Sequence, residues 1–203
     1  IGDVDAASII EQARRLTPAG KKPQFARYYG APEPEQVQTR TIEKQMEIAM
    51  PAFAIGFRCP DAGCGADAMR MDLIGELAGE MLVGESSKLY QKLYDENVID
   101  ADFSVDYERM KGMALLELSG DSEDPRRILR EVLAEAARVL ETGVDRALLA
   151  RLKKSVTGRR LRELDGFEGT CYRMCAYYFD GAEYVDYPEI YASVTAEDVE
   201  QFI

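Results

Sequence analysis

Histidine is absent from the 203 residues, and this limits the chemistry open to the remaining side chains. Without imidazole there is no Ser-His-Asp triad, no Cys-His pair and no histidine-ligated zinc. The stretch VGESSK, residues 83–88, sets Ser86 and Ser87 behind a glycine, but it lacks the second glycine of a G-x-S-x-G elbow and has no base beside it. A phosphate loop of the form G-x-x-x-x-G-K-[ST] is also missing. The 37 carboxylates cluster in GDSEDP, YDENVID and AEDVE, at expected turns and helix starts, where capping and solvation are their ordinary uses.

The four cysteines fall as Cys59-x4-Cys64 and Cys171-x3-Cys175. A four-thiolate zinc module would use two such pairs, yet neither has the C-x2-C spacing. Structural or free thiols are the expected state, with a disulfide or a metal as the alternatives. Such sparse cysteine use fits a cytoplasmic location. Tyr172, Tyr177, Tyr178, Tyr184, Tyr187 and Tyr191 form a tyrosine-rich stretch whose expected use is packing.

A net charge of −12 argues against nucleic acid and anionic membranes as partners. No apolar run reaches the roughly 18 residues of a membrane span. The length suits one compact domain, and the opening IGDVDAASII, with Ile in place of Met, reads as a piece of a longer protein.

The elements follow from periodicity and caps. Asp5 is placed to cap a helix carrying Ile9, Ile10, Ala13 and Leu16, stopped by Pro18. Pro23, Pro32 and Pro34 then mark an extended connector. We divide the chain into a leading helix and Pro-rich connector, 1–38, and a sheet-and-helix body, 39–203. In the body, Met46, Ile48 and Met50 alternate on one parity and Phe53, Ile55 and Phe57 on the other, which predicts two strands, or one bent strand, joined at Pro51. Residues 66–83 form a buried helix, with Gly75 and Gly79 allowing a close neighbour. A second helix restarts after Gly84, whose open backbone angle would make the turn, with Ser86 or Ser87 as N-cap. Phe103, Val105 and Tyr107 lead a hairpin turned by ERMKG, with a more buried return strand, MALLELS. Asp121 or Asp124, with Pro125 at the first position and Gly143 past the end, brackets one further helix. Asp145 starts another, and Thr195 with Asp198 caps the last. This is an α+β domain: a mixed, mostly antiparallel sheet with helices packed on one face.

These stretches, in this order, resemble the second of the two homologous domains in one half of a pitrilysin/insulinase-type zinc peptidase. IGDVD is similar to the strand-end that precedes this region, and PAFAIGFRCP to the family's strand. MLVGESSKLYQKLYDENVIDADFSV resembles its broken helix pair and following strand, and YASVTAEDVEQF its late helix start. The resemblance implies that two such domains make half of a clamshell around a peptide chamber. Zinc then lies only in the first domain, on an H-x-x-E-H helix, and none of those ligands can be carried onto this chain. An Arg and a Tyr that touch substrate in some members cannot be placed on this sequence; Ala114, close to Gly112, stands about where the Arg would be sought.

The chain is accordingly expected to be a noncatalytic domain with no catalytic residue and no metal of its own. Its expected partners are the preceding domain, a second homologous half or subunit, and a peptide substrate. Gly84, Ser86 and Ser87 at the helix break are the candidate substrate contacts. The alternative is the same fold in a catalytically inactive paralogue acting as partner or scaffold subunit.

Overall fold

The computed structural model describes residues 2–17, 20, 28, 37–110 and 112–203. Helix α1 (Ala6–Leu16) begins where the Asp5 carboxylate accepts the Ala7 N–H at 3.1 Å. Its apolar positions Ile9, Ile10 and Leu16 are exposed, so its stripe meets no core among the described residues. Pro18, Pro23, Pro32 and Pro34 lie outside the described residues.

Three strands, β1 (Ala52–Cys59), β2 (Ser104–Met110) and β3 (Met113–Asp121), make an antiparallel sheet in the order β1-β3-β2. The register sets Ile55 and Val105 on either side of Leu118, and Phe57 and Tyr107 on either side of Leu116. These residues share the face that joins the core, while Ala54, Gly56 and Asp106 on the other face are exposed. The hairpin strands run on to Met110 and Met113, so the turn is tighter than ERMKG suggests, and Gly112 supplies a φ of 80°.

Residues 41–51 form no strand, and Met46, Ile48 and Met50 are exposed. The reason is pairing. The Pro51 carbonyl accepts the Ser122 N–H at 2.9 Å, and β3 has already ended at Asp121. Upstream of Pro51, the alternating pattern has no edge to join.

Helix α2 (Ala66–Val83) packs directly on β2. A Cβ on Gly75 would meet the Tyr107 ring at 2.4 Å, and one on Gly79 would meet Val105 Cγ2 at 2.8 Å. Both glycines therefore serve close approach. Gly84 ends α2 with φ −68°, an angle open to any residue, so the expected angular role is not the one it plays. It serves space instead: a Cβ there would lie 2.7 Å from the Glu80 Cα. Helix α3 (Lys88–Asp95) restarts on Ser87, whose buried hydroxyl accepts the Tyr90 N–H at 3.0 Å.

Helices α4 (Pro125–Thr142) and α5 (Arg146–Glu163) are capped by Asp124 and Asp145. Helix α6 (Phe167–Phe179) leads through a 3-10 turn (Tyr184–Asp186) into α7 (Tyr187–Ser193). The last helix, α8 (Ala196–Phe202), starts with a capping box of Thr195 and Asp198. Asp198 also takes a hydrogen bond from Arg70 of α2 at 2.6 Å, so one carboxylate caps α8 and fixes it to α2.

Arg109 on β2 ties distant segments together. It donates to both oxygens of Asp72 at 2.9 and 3.1 Å, to Asp180 at 2.5 Å and to the Gly63 carbonyl at 3.0 Å. No helix among the described residues is long and apolar enough to cross a membrane.

Candidate functional site

A groove of about 650 Å³ opens between α2, β2 and α5. Five consecutive residues of the chain, Phe103 to Tyr107, line it. Alternate side chains of a strand point to opposite faces, so an unbroken run of this kind marks the strand's edge. Since β2 stands last in the sheet order, its outer edge carries no further strand among the described residues. Glu76 and Glu80, one turn apart on α2, form one wall. Arg159, Arg160 and Glu163 of α5 face them, with Val156 between.

The predicted contact residues divide. Gly84 and Ser86 line the end of the groove where α2 breaks, with Ser86 exposed. Ser87 does not line it; its side chain is occupied as the α3 cap. Glu76, Glu80, Arg159, Arg160, Tyr107 and Tyr191 complete the site and were not among the residues selected from sequence. A signal for two of them was available, because Glu76 and Glu80 interrupt an otherwise apolar half of α2 at helical spacing.

Glu76 is exposed at the groove mouth, with the walls of the groove displacing part of the water around its carboxylate. This partial desolvation raises its pKa, against the pull of Arg160. Glu80 is raised for the same reason, opposed by Arg159. Burial likewise pushes the Tyr107 phenol up to about 12. Arg160 pairs with Glu163 at 3.2 Å, donates to the Tyr187 hydroxyl at 3.4 Å and stacks over that ring. Arg173 reaches the same Glu163 carboxylate at 2.9 Å.

The tyrosine-rich stretch is split. Tyr177, Tyr184, Tyr187 and Tyr191 form a ladder with successive ring centroids 5.7–6.1 Å apart, as the packing reading expects. Tyr172 and Tyr178 are exposed instead. None of the four cysteines is in a disulfide; Cys171 is half-buried and Cys175 exposed. The side chains do not fit a zinc ion: histidine is absent, and among the described residues no three Cys, Asp or Glu are grouped to hold a metal.

Residues 1–156 match the family model described as the peptidase M16 inactive domain. An uncharacterized zinc protease of Bacillus subtilis, YmfH, is 28% identical over 213 residues, taking in 100% of this chain and 48% of that protein. A protease from Helicobacter pylori superposes with a TM-score of 0.78 at 12% identity, over 100% of this chain and 50% of its own. A conserved protein from Enterococcus faecalis V583 does so at 0.70 and 14% identity, over 99% and 47%. At such identities these two structures speak for the fold alone. The chain spans about half the length of these relatives. With the family model matching most of its length, the chain belongs to the peptidase M16 inactive-domain family.

Proposed function

We propose that this domain is the noncatalytic wall of a zinc peptidase chamber, contacting the peptide while the preceding domain holds the zinc. The observation that carries this reading is the edge of β2, bare among the described residues, running along an open groove. An extended peptide can satisfy that edge through main-chain hydrogen bonds, as a further strand would. Gly84 and Ser86 flank the groove's end, where the exposed Ser86 hydroxyl offers the peptide a polar contact. Ser87 supports them by fixing the start of α3. Cysteines outside any disulfide fit a reducing compartment such as the cytoplasm.

The test uses the complete protein that carries this chain. Val156→Trp fills the groove from α5 without touching β2's pairing to β3. The expected result is kcat/KM on a fluorogenic peptide lowered about tenfold or more through KM, with an unchanged melting temperature. Unaltered peptide kinetics would remove the groove from the substrate path. If the unaltered protein cleaves no peptide and its preceding domain lacks H-x-x-E-H, the scaffold-subunit reading takes its place.

A further inference from the structure

Resting on that reading, the groove's chemistry points to the kind of peptide it takes. Five carboxylates line it, Glu76, Glu80, Glu85, Asp106 and Glu163, against the guanidiniums of Arg159 and Arg160. The pairing is uneven. Glu163 is held by both Arg160 and Arg173. Among the described residues, neither the Glu76 nor the Glu80 carboxylate enters an ion pair or a hydrogen bond. Two carboxylates one helical turn apart thus face the groove without a direct ion pair, under only the longer-range pull of Arg159 and Arg160.

A second feature, independent of the acids, lies in the same place. Tyr191 is 4% exposed and lines the groove, and its hydroxyl has no hydrogen-bond partner among the described residues. A buried phenol without a partner is costly, and this one could accept a hydrogen bond from a donor lodged between α2 and α7. A side chain made only of donors, carrying positive charge, answers the carboxylates and the phenol together. A divalent cation does not, since no three acidic or thiol ligands converge among the described residues.

We propose that the groove selects a basic side chain, lysine or arginine, of an extended peptide, held by Glu76 and Glu80 with the Tyr191 hydroxyl as a further acceptor. Main-chain pairing to β2 would be indifferent to sequence, and the acidic wall would supply the choice. An acidic peptide would be repelled. A neutral one would leave two partly desolvated carboxylates unpaired.

The probes are fluorescent peptides of about seven residues, a strand's length, identical except for a central Arg, Gln or Glu. Binding to the protein carrying this chain is read by anisotropy at low and high salt. The Arg peptide should bind about tenfold more tightly than the Gln peptide, a charge-assisted hydrogen bond's worth, and the Glu peptide more weakly than either. High salt should narrow the difference. In Glu76→Gln/Glu80→Gln, checked for native circular dichroism, Arg and Gln peptides should bind alike, and Val156→Trp should weaken all three. Equal binding of Arg and Gln peptides to the unaltered protein overturns the basic-side-chain selection while the groove as a peptide site stands. A preference that survives the double substitution, or binding unmoved by Val156→Trp, also overturns it, because the choice is then made elsewhere. If no peptide binds, the groove as a peptide site falls with it.

Discussion

The Tyr107 ring lies directly on the backbone of Gly75, so close that a Cβ there would stand 2.4 Å from the ring carbon Cδ2. The ring has little room to retreat. Phe202 meets it edge-on at 5.7 Å between centroids, and its own strand pairs Tyr107 with Leu116. Gly75→Ala would gain about 1 kcal/mol of helix propensity but lose about 1–3 kcal/mol to overpacking. The expected net is a loss of about 1 kcal/mol. Gly158 in α5 offers the contrast, since a Cβ there meets only Arg162 Nη1, at 3.8 Å. Gly158→Ala should stabilise by about 1 kcal/mol. Urea titrations of both variants decide the matter, and stabilisation of equal size in the two would mean that the ring contact is not what Gly75 serves.

Arg109 is the cation between Asp72 and Asp180, with its side chain only 16% exposed. Arg109→Met leaves two carboxylates facing each other in a partly desolvated site. The expected loss is about 3 kcal/mol, towards the lower end for breaking a buried pair. Arg109→Lys should recover only part of it, because a single ammonium cannot reproduce the forked contact with Asp72. Denaturant midpoints measure both, and a loss below about 1 kcal/mol for Met would class the cluster with ordinary surface pairs.

The raised pKa of Glu76 sets a pH dependence. Partial desolvation in the groove disfavours its charge in the folded chain, so over the interval between the two pKa values the native state holds a proton that the unfolded chain releases. Stability from this group therefore falls as pH rises from the ordinary carboxylate value through the raised one. Glu76→Gln removes the charge, and should raise the melting temperature near pH 7 while the gain fades towards about pH 4, where the wild-type carboxyl is protonated. Melting curves across that range test the sign. A gain that grows on acidification would show that attraction to Arg160 outweighs burial.

Helix limits and caps were legible because they are local. Asp5, Asp124, Asp145 and the Thr195–Asp198 box each act within three residues of their partner, and each occupies its expected place. Features set by distant partners were not. The alternation of Met46, Ile48 and Met50 is a strand pattern, yet whether it becomes a strand depends on where β3 stops. Gly84 has a glycine's look at a helix break, but its φ is ordinary and the need for space comes from Glu80. The groove joins α2 to α5 across some eighty residues, so no window of sequence shows Glu76 opposite Arg160. The tyrosines show the same limit: Tyr187 and Tyr191, four apart, pack, while Tyr172 and Tyr178, equally apolar in pattern, face water.

The guanidinium of Arg109 also bears on the sequence of events in folding. Its partners lie 37 residues away at Asp72 and 71 away at Asp180, whereas β2 and β3 meet across a two-residue link. Chain closure costs more entropy as the span grows. Ranked by that cost, the hairpin closes most cheaply, the tie to α2 next and the tie to the end of α6 at the greatest expense, and Arg109 belongs to all three closures.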